Sequence, residues 1–106
     1  MVRHIDSKDD FDDAISGGEL VVVDFFATWC GPCNDIAPKV EDLEKEFGNV
    51  TFLKIDVDKE ETKSLVGEYK INAMPTFVLI KDGGVVDRLE GADAGKLKKL
   101  IQKHNK

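Results

Sequence analysis

Leu20 to Ala27 (LVVVDFFA) are apolar except for one aspartate, and the run is rich in β-branched and aromatic side chains. It is too short for a typical helix and too continuous for a strand with one wet face, so it reads as a central strand covered on both sides. Helices on both faces of a sheet supply that cover. Most of the rest of the chain carries the periodicities such a sheet needs.

Val2 to Ile5 is a short strand candidate. Ser7, with Asp10 three residues on, resembles a capping box opening a helix whose apolar face is Phe11, Ala14 and Ile15, with Gly17-Gly18 as its stop. After the central run, Ile36, Val40, Leu43 and Phe47 recur at helical spacing up to Gly48-Asn49, and Pro38 is expected to kink that helix. Val50 to Val57 reads as a strand, Lys59 to Tyr69 as a helix with Leu65, Val66 and Tyr69 inward, and Thr76 to Ile80 as a third buried strand. Asp82-Gly83-Gly84 predicts a tight turn into a strand over Val85 to Leu89, making a hairpin. The last helix begins near Asp93, buries Leu97, Leu100 and Ile101, and carries Lys98, Lys99 and Lys103 toward the end where the helix dipole favours cations. The order βαβαβαββα implies an α/β fold with a mixed sheet and helices on both faces. With no linker or repeat, residues 1–106 are expected to form a single domain, long enough to bury a core.

The net charge of -6 argues against binding to phosphate backbones or anionic lipid, which call for a basic face. No nucleic-acid or membrane partner is expected. The N-terminus lacks the apolar core of a signal peptide, and no run approaches the ~20 apolar residues of a membrane span. The expectation is a soluble, cytoplasmic protein, monomeric by size and charge.

The only two cysteines, Cys30 and Cys33, follow the central run directly, separated by Gly31 and Pro32. They are a metal clamp, a structural staple or a reactive pair. A structural zinc site needs four ligands, and the only histidines, His4 and His104, lie near opposite ends with no paired spacing, so no metal is expected and both read as solvated. A reducing compartment disfavours a permanent staple. The reactive reading has geometry behind it. Where a buried strand hands over to a helix, Cys30 falls at the N-cap or first turn, where free N–H groups and the helix dipole stabilise a thiolate. Gly31 is expected to permit a tight first turn, and Pro32 pre-sets helical φ while lacking an N–H. Of the two usual donors to an N-cap side chain, Pro32 and Cys33, only the second exists. Thiolate stabilisation should be partial, which poises the pair as a reductant.

Val22 to Cys33 (VVDFFATWCGPC), Ala73-Met74-Pro75-Thr76 and the KDGGVV hairpin resemble the thioredoxin family across essentially the whole chain. The resemblance implies a five-stranded mixed sheet flanked by four helices and a protein-disulfide reductase. Cys30, the more exposed thiolate, would attack a client disulfide and Cys33 would resolve the mixed disulfide. In the family a thioredoxin reductase restores the dithiol with electrons from NADPH. No cofactor is expected on the chain itself, and the implied partners are that reductase and disulfide-containing client proteins.

Asp24 interrupts the apolar run, where an ionised side chain is costly to bury. By sequence alone it either faces solvent at a strand edge or has a raised pKa and serves as a base for Cys33. The family position is a buried aspartate with a lysine nearby, matched here by Lys54, which otherwise reads as a solvated strand-face residue. Trp29 reads as core or, by the resemblance, as a partly exposed wall of the client surface. Pro75 by base rate would be trans; the resemblance implies a cis bond, with the Met74 backbone pairing with an extended client segment. Gly31, Pro32, Val57, Ala73, Gly91 and Ala92 match other positions around that groove.

Two residues depart from the family pattern. Asn34 stands where lysine is frequent, and Glu90 where an apolar residue is frequent before Gly91. Both make the rim less positive or less apolar; they leave the chemistry intact and read as tolerated surface variation or as a change in the usual partners. Rival readings are a disulfide oxidant or isomerase, whose relatives commonly carry histidine at the Pro32 position, and a docking module that does no redox chemistry.

Overall fold

The apolar run becomes β2 (Val21–Phe26), and each of its six residues is buried. The computed structural model describes residues 2–106. The other strands are β1 (Arg3–His4), β3 (Thr51–Asp56), β4 (Thr76–Lys81) and β5 (Gly84–Glu90), and the helices are α1 (Lys8–Ala14), α2 (Gly31–Glu46), α3 (Lys63–Glu68) and α4 (Ala94–His104). The five strands lie in the order β1-β3-β2-β4-β5. β1, β3 and β2 run parallel, whereas β4 and β5 are antiparallel to their neighbours, so the sheet is mixed.

Alternation along β2 sorts its side chains between two layers. Val22 packs with Ile36, Val40 and Leu43 of α2 and with Leu97 and Ile101 of α4. Val21, Val23 and Phe25 pack on the opposite face with Phe11 of α1 and Leu65 of α3. Burying a Val, Leu or Phe side chain contributes roughly 1.5–3 kcal/mol, so each face is an independent reason for the strand to lie where it does. Asp24 points to the α2 side, the side from which the cysteine-bearing helix approaches.

Several boundaries differ from expectation. β1 keeps only two paired residues, and α1 ends at Ala14, short of Gly17-Gly18, where Ile15 caps it. The expected Lys59–Tyr69 helix is broken into a 3-10 turn at Glu60–Thr62 followed by α3. The Thr62 hydroxyl donates to the Asp56 and Lys59 carbonyls, tying that turn to the end of β3. α2 runs on through Pro38 to Glu46. Lys98 does not serve the end of α4; it pairs with Glu46 of α2 at 2.9 Å, and the last turn holds Lys103 and His104. The hairpin forms as expected, with Asp82 at φ 53° and Gly83 at φ 80°, the two left-handed positions that a two-residue hairpin turn demands.

Candidate active site

β2 delivers the chain into the start of α2, and Cys30 is the N-cap of that helix. The Cys33 N–H donates to Cys30 Sγ at 3.2 Å, the single donor left once Pro32 has removed the other. Cys30 and Cys33 are disulfide-bonded, with Cα atoms 5.3 Å apart. As whole residues in the disulfide form their exposures, 5% and 4%, are alike. What distinguishes the two is the helix end: only Cys30 Sγ receives an N–H from the first turn. Around the pair pack Phe26 and Ala27, with Val57 and Met74 partly buried against them.

Beyond its chain neighbours and the backbone of its own helix, a Cβ at Gly31 would meet nothing within 4 Å, and its φ is not in the left-handed region. The room it leaves opens to solvent, as does Pro32 beside it.

Asp24 is 2% exposed, which overturns the solvent-facing alternative. Its Oδ1 has no hydrogen-bond partner. Burial pushes its pKa up to about 7, and the positive charge of Lys54 works against that rise. Lys54 is the register partner of Asp24 on β3, yet its ammonium lies over the Phe26 ring, 4.5 Å from the centroid, so its influence is through space. It is half-buried, not a freely solvated lysine.

Two segments flank the disulfide. Trp29 is 68% exposed, and its indole N–H donates to Asp58 Oδ2 at 2.7 Å, so it is a wall held from outside the core. On the other side the Met74–Pro75 bond is cis, and the Met74 carbonyl oxygen lies 3.7 Å from Cys30 Sγ. Pro75 is buried, Ala73 exposed and Met74 half-buried. The Gly91 N–H donates to the Pro75 carbonyl at 2.9 Å, bringing Gly91 and exposed Ala92 beside that segment. Gly91 has φ 106°, a conformation that demands glycine although a Cβ would meet no neighbour.

The thioredoxin family model matches residues 2–103. The chain belongs to the thioredoxin family. It is 46% identical to thioredoxin 1 of Plasmodium falciparum over 98% of each chain. It is 47% identical to thioredoxin-2 of Pyricularia oryzae over 94% of its own length and 57% of that relative's. Among solved structures it superposes on Fasciola hepatica thioredoxin with a TM-score of 0.92 at 48% identity, covering 98% of this chain and 100% of that one. With the paired cysteines, this makes it a protein-disulfide oxidoreductase that works by dithiol–disulfide exchange.

Both departures from the thioredoxin pattern have local partners. Asn34 donates through its side-chain amide to the Thr28 carbonyl at 3.2 Å, bracing the loop that carries Trp29. Glu90 pairs with Arg88 at 3.1 Å. Asp58 is the site residue that sequence reasoning missed. The available signal was register: the Val57 N–H bonds the Phe26 carbonyl, so the residues just beyond β2 and β3 come together. His4 is exposed, as expected, with its ring edge-on to Phe26 and ring centroids 5.9 Å apart. His104 is not freely solvated: it is half-buried and pairs with Asp87 at 2.8 Å. Among the described residues no three His, Cys, Asp or Glu side chains gather as a metal site, and no helix is long and apolar enough to cross a membrane.

Proposed function

We propose that this chain reduces client protein disulfides with Cys30 as nucleophile and Cys33 as resolving thiol. The Cys30 thiolate attacks one client sulfur, forming a mixed disulfide, and the displaced client thiolate takes a proton from solvent. Cys33 gives its proton to Asp24, directly or through a water, and attacks Cys30 Sγ. The second client thiolate leaves, and two electrons have passed from the dithiol to the client. Lys54 holds the Asp24 pKa from rising further, so that near neutral pH the carboxylate form is available to accept that proton.

The client backbone pairs with Met74, between a wall of Trp29 and Val57 and another of Ala73, Pro75, Gly91 and Ala92. Gly31 and Pro32 leave the approach to the sulfurs open. A thioredoxin reductase drawing on NADPH returns the pair to the dithiol, and no cofactor is held by the chain. The setting is the cytoplasm, where a cycling pair is re-reduced, and the working form is a single-domain monomer.

The observation that carries the assignment is the Cys33 N–H on Cys30 Sγ, which sets one sulfur of the pair at the positive end of α2. NADPH consumption with a thioredoxin reductase and insulin as acceptor tests it. Wild type turns over and Cys30→Ser does not. Turnover that appears only with dithiothreitol points to a different electron donor, and silence under both conditions leaves a docking role.

A further inference from the structure

One guanidinium gathers groups from two separated parts of the chain. Arg88, in the middle of β5, donates through Nη1 to the Tyr69 carbonyl, through Nη2 to the Lys70 carbonyl at 2.8 Å, and through Nη2 to the Glu90 carboxylate at 3.1 Å. The carbonyls belong to the end of α3. There the Lys70 N–H bonds the Gly67 carbonyl at 3.2 Å and the Ile71 N–H bonds Val66 at 3.0 Å, a Schellman closure with Lys70 at φ 53° in the position glycine usually takes. That closure uses Val66 and Gly67. The Tyr69 and Lys70 carbonyls are left over, and they are the two that Arg88 takes.

Five residues, Ile71 to Pro75, lead from this helix end into β4. At their far end the Pro75 carbonyl is held by the Gly91 N–H at 2.9 Å, and the Thr76 hydroxyl donates to Ala73 at 2.6 Å. The segment that sets the Met74 carbonyl 3.7 Å from Cys30 Sγ is thus fastened to β5 at both ends, by Arg88 and by Gly91. Glu90, adjacent to Gly91, is also held by Arg88, so the two fastenings share one ion pair.

We propose that Arg88 is a positioning residue for the client groove, holding the 71–75 segment at the distance from β5 that lets the Met74 backbone receive a client strand. It touches no reacting atom and acts through that segment. The inference rests on the reading of Met74, Gly91 and Ala92 as groove walls. Lysine does not replace it, because a point charge on a flexible stem lacks the planar fork that reaches two carbonyls and a carboxylate together.

The test compares a protein disulfide with a small one. Pre-reduced full-length chain is mixed with insulin, or with 5,5′-dithiobis(2-nitrobenzoate), which needs no strand pairing. Arg88→Met is expected to lower the rate constant for insulin about ten-fold and to leave that for the small disulfide within about two-fold. Amide exchange at Ala73 and Met74 should quicken while that of β2 stays slow. If Arg88→Met does not fold, Arg88→Lys carries the same comparison with the same direction of change.

Equal losses with both disulfides, or no loss with either, would overturn the proposal. Ala92→Glu, which crowds the groove directly, separates this from failure of the groove reading. If Ala92→Glu slows insulin and Arg88→Met does not, the role of Arg88 falls alone; if neither slows insulin, the groove reading falls and takes the inference with it.

Discussion

Burial of Asp24 ties stability to the proton that the proposed reduction also uses. The unfolded chain loses that proton near pH 4, the folded chain near 7. Between the two the folded state binds more protons, so stability falls as pH rises. The Asp24-linked contribution is full below about pH 4 and gone above about pH 7. Asp24→Asn removes the cost: urea midpoints at about pH 8 should show the variant more stable by on the order of 3 kcal/mol, with the gain shrinking toward zero at about pH 4. The same variant should lose the rise in client reduction through neutral pH. A stability gain that did not vary with pH would argue against desolvation as the cause. Sequence reasoning left Asp24 undecided because alternation assigns it a face without saying what covers that face; α2 packed on that side decides it.

Helix ends carry much of the element-scale stability. Asp93 caps α4, its Oδ1 accepting the Lys96 N–H at 3.0 Å, and α4 brings Leu97 and Ile101 onto the sheet. Asp93→Ala should cost about 1 kcal/mol in urea unfolding, since the freed N–H has only water to turn to. A variant as stable as wild type would mean that the cap adds nothing beyond solvation. The Ser7 cap and the start of α4 near Asp93 were legible because a short polar side chain serves its own helix within three residues. The broken Lys59–Tyr69 segment was not, because the Thr62 hydroxyl reaches back to Asp56, a partner that helical periodicity does not register.

At the scale of the whole molecule, one sheet separates two apolar layers that share its strands. Phe77 is buried in the layer under α2 and α4, and Phe25 in the layer under α1 and α3, both at 0% exposure. The Cα radius of gyration, 12.4 Å, is close to the roughly 13 Å of a single domain this long. Phe25→Ala and Phe77→Ala should each cost about 3–5 kcal/mol. Each should unfold in one step, with Trp29 fluorescence and far-ultraviolet circular dichroism coinciding. Separate transitions in either variant would show that the layers fold independently.

The amino-acid sequence by itself determined the alternation of strands and helices, the buried β2, the hairpin turn at Asp82-Gly83, and the place of Cys30 at a strand-to-helix handover. These follow from side-chain periodicity and from contacts a few residues apart, where propensity and capping act directly. Only the tertiary structure decided that Asp24 has no partner for its Oδ1, that Asp58 holds Trp29, that His104 meets Asp87, and that Arg88 reaches the end of α3. The three pairings join residues 17 to 29 positions apart. Whether they meet depends on which strands lie side by side and which helix covers each face, and neither is written in the local pattern of any one segment.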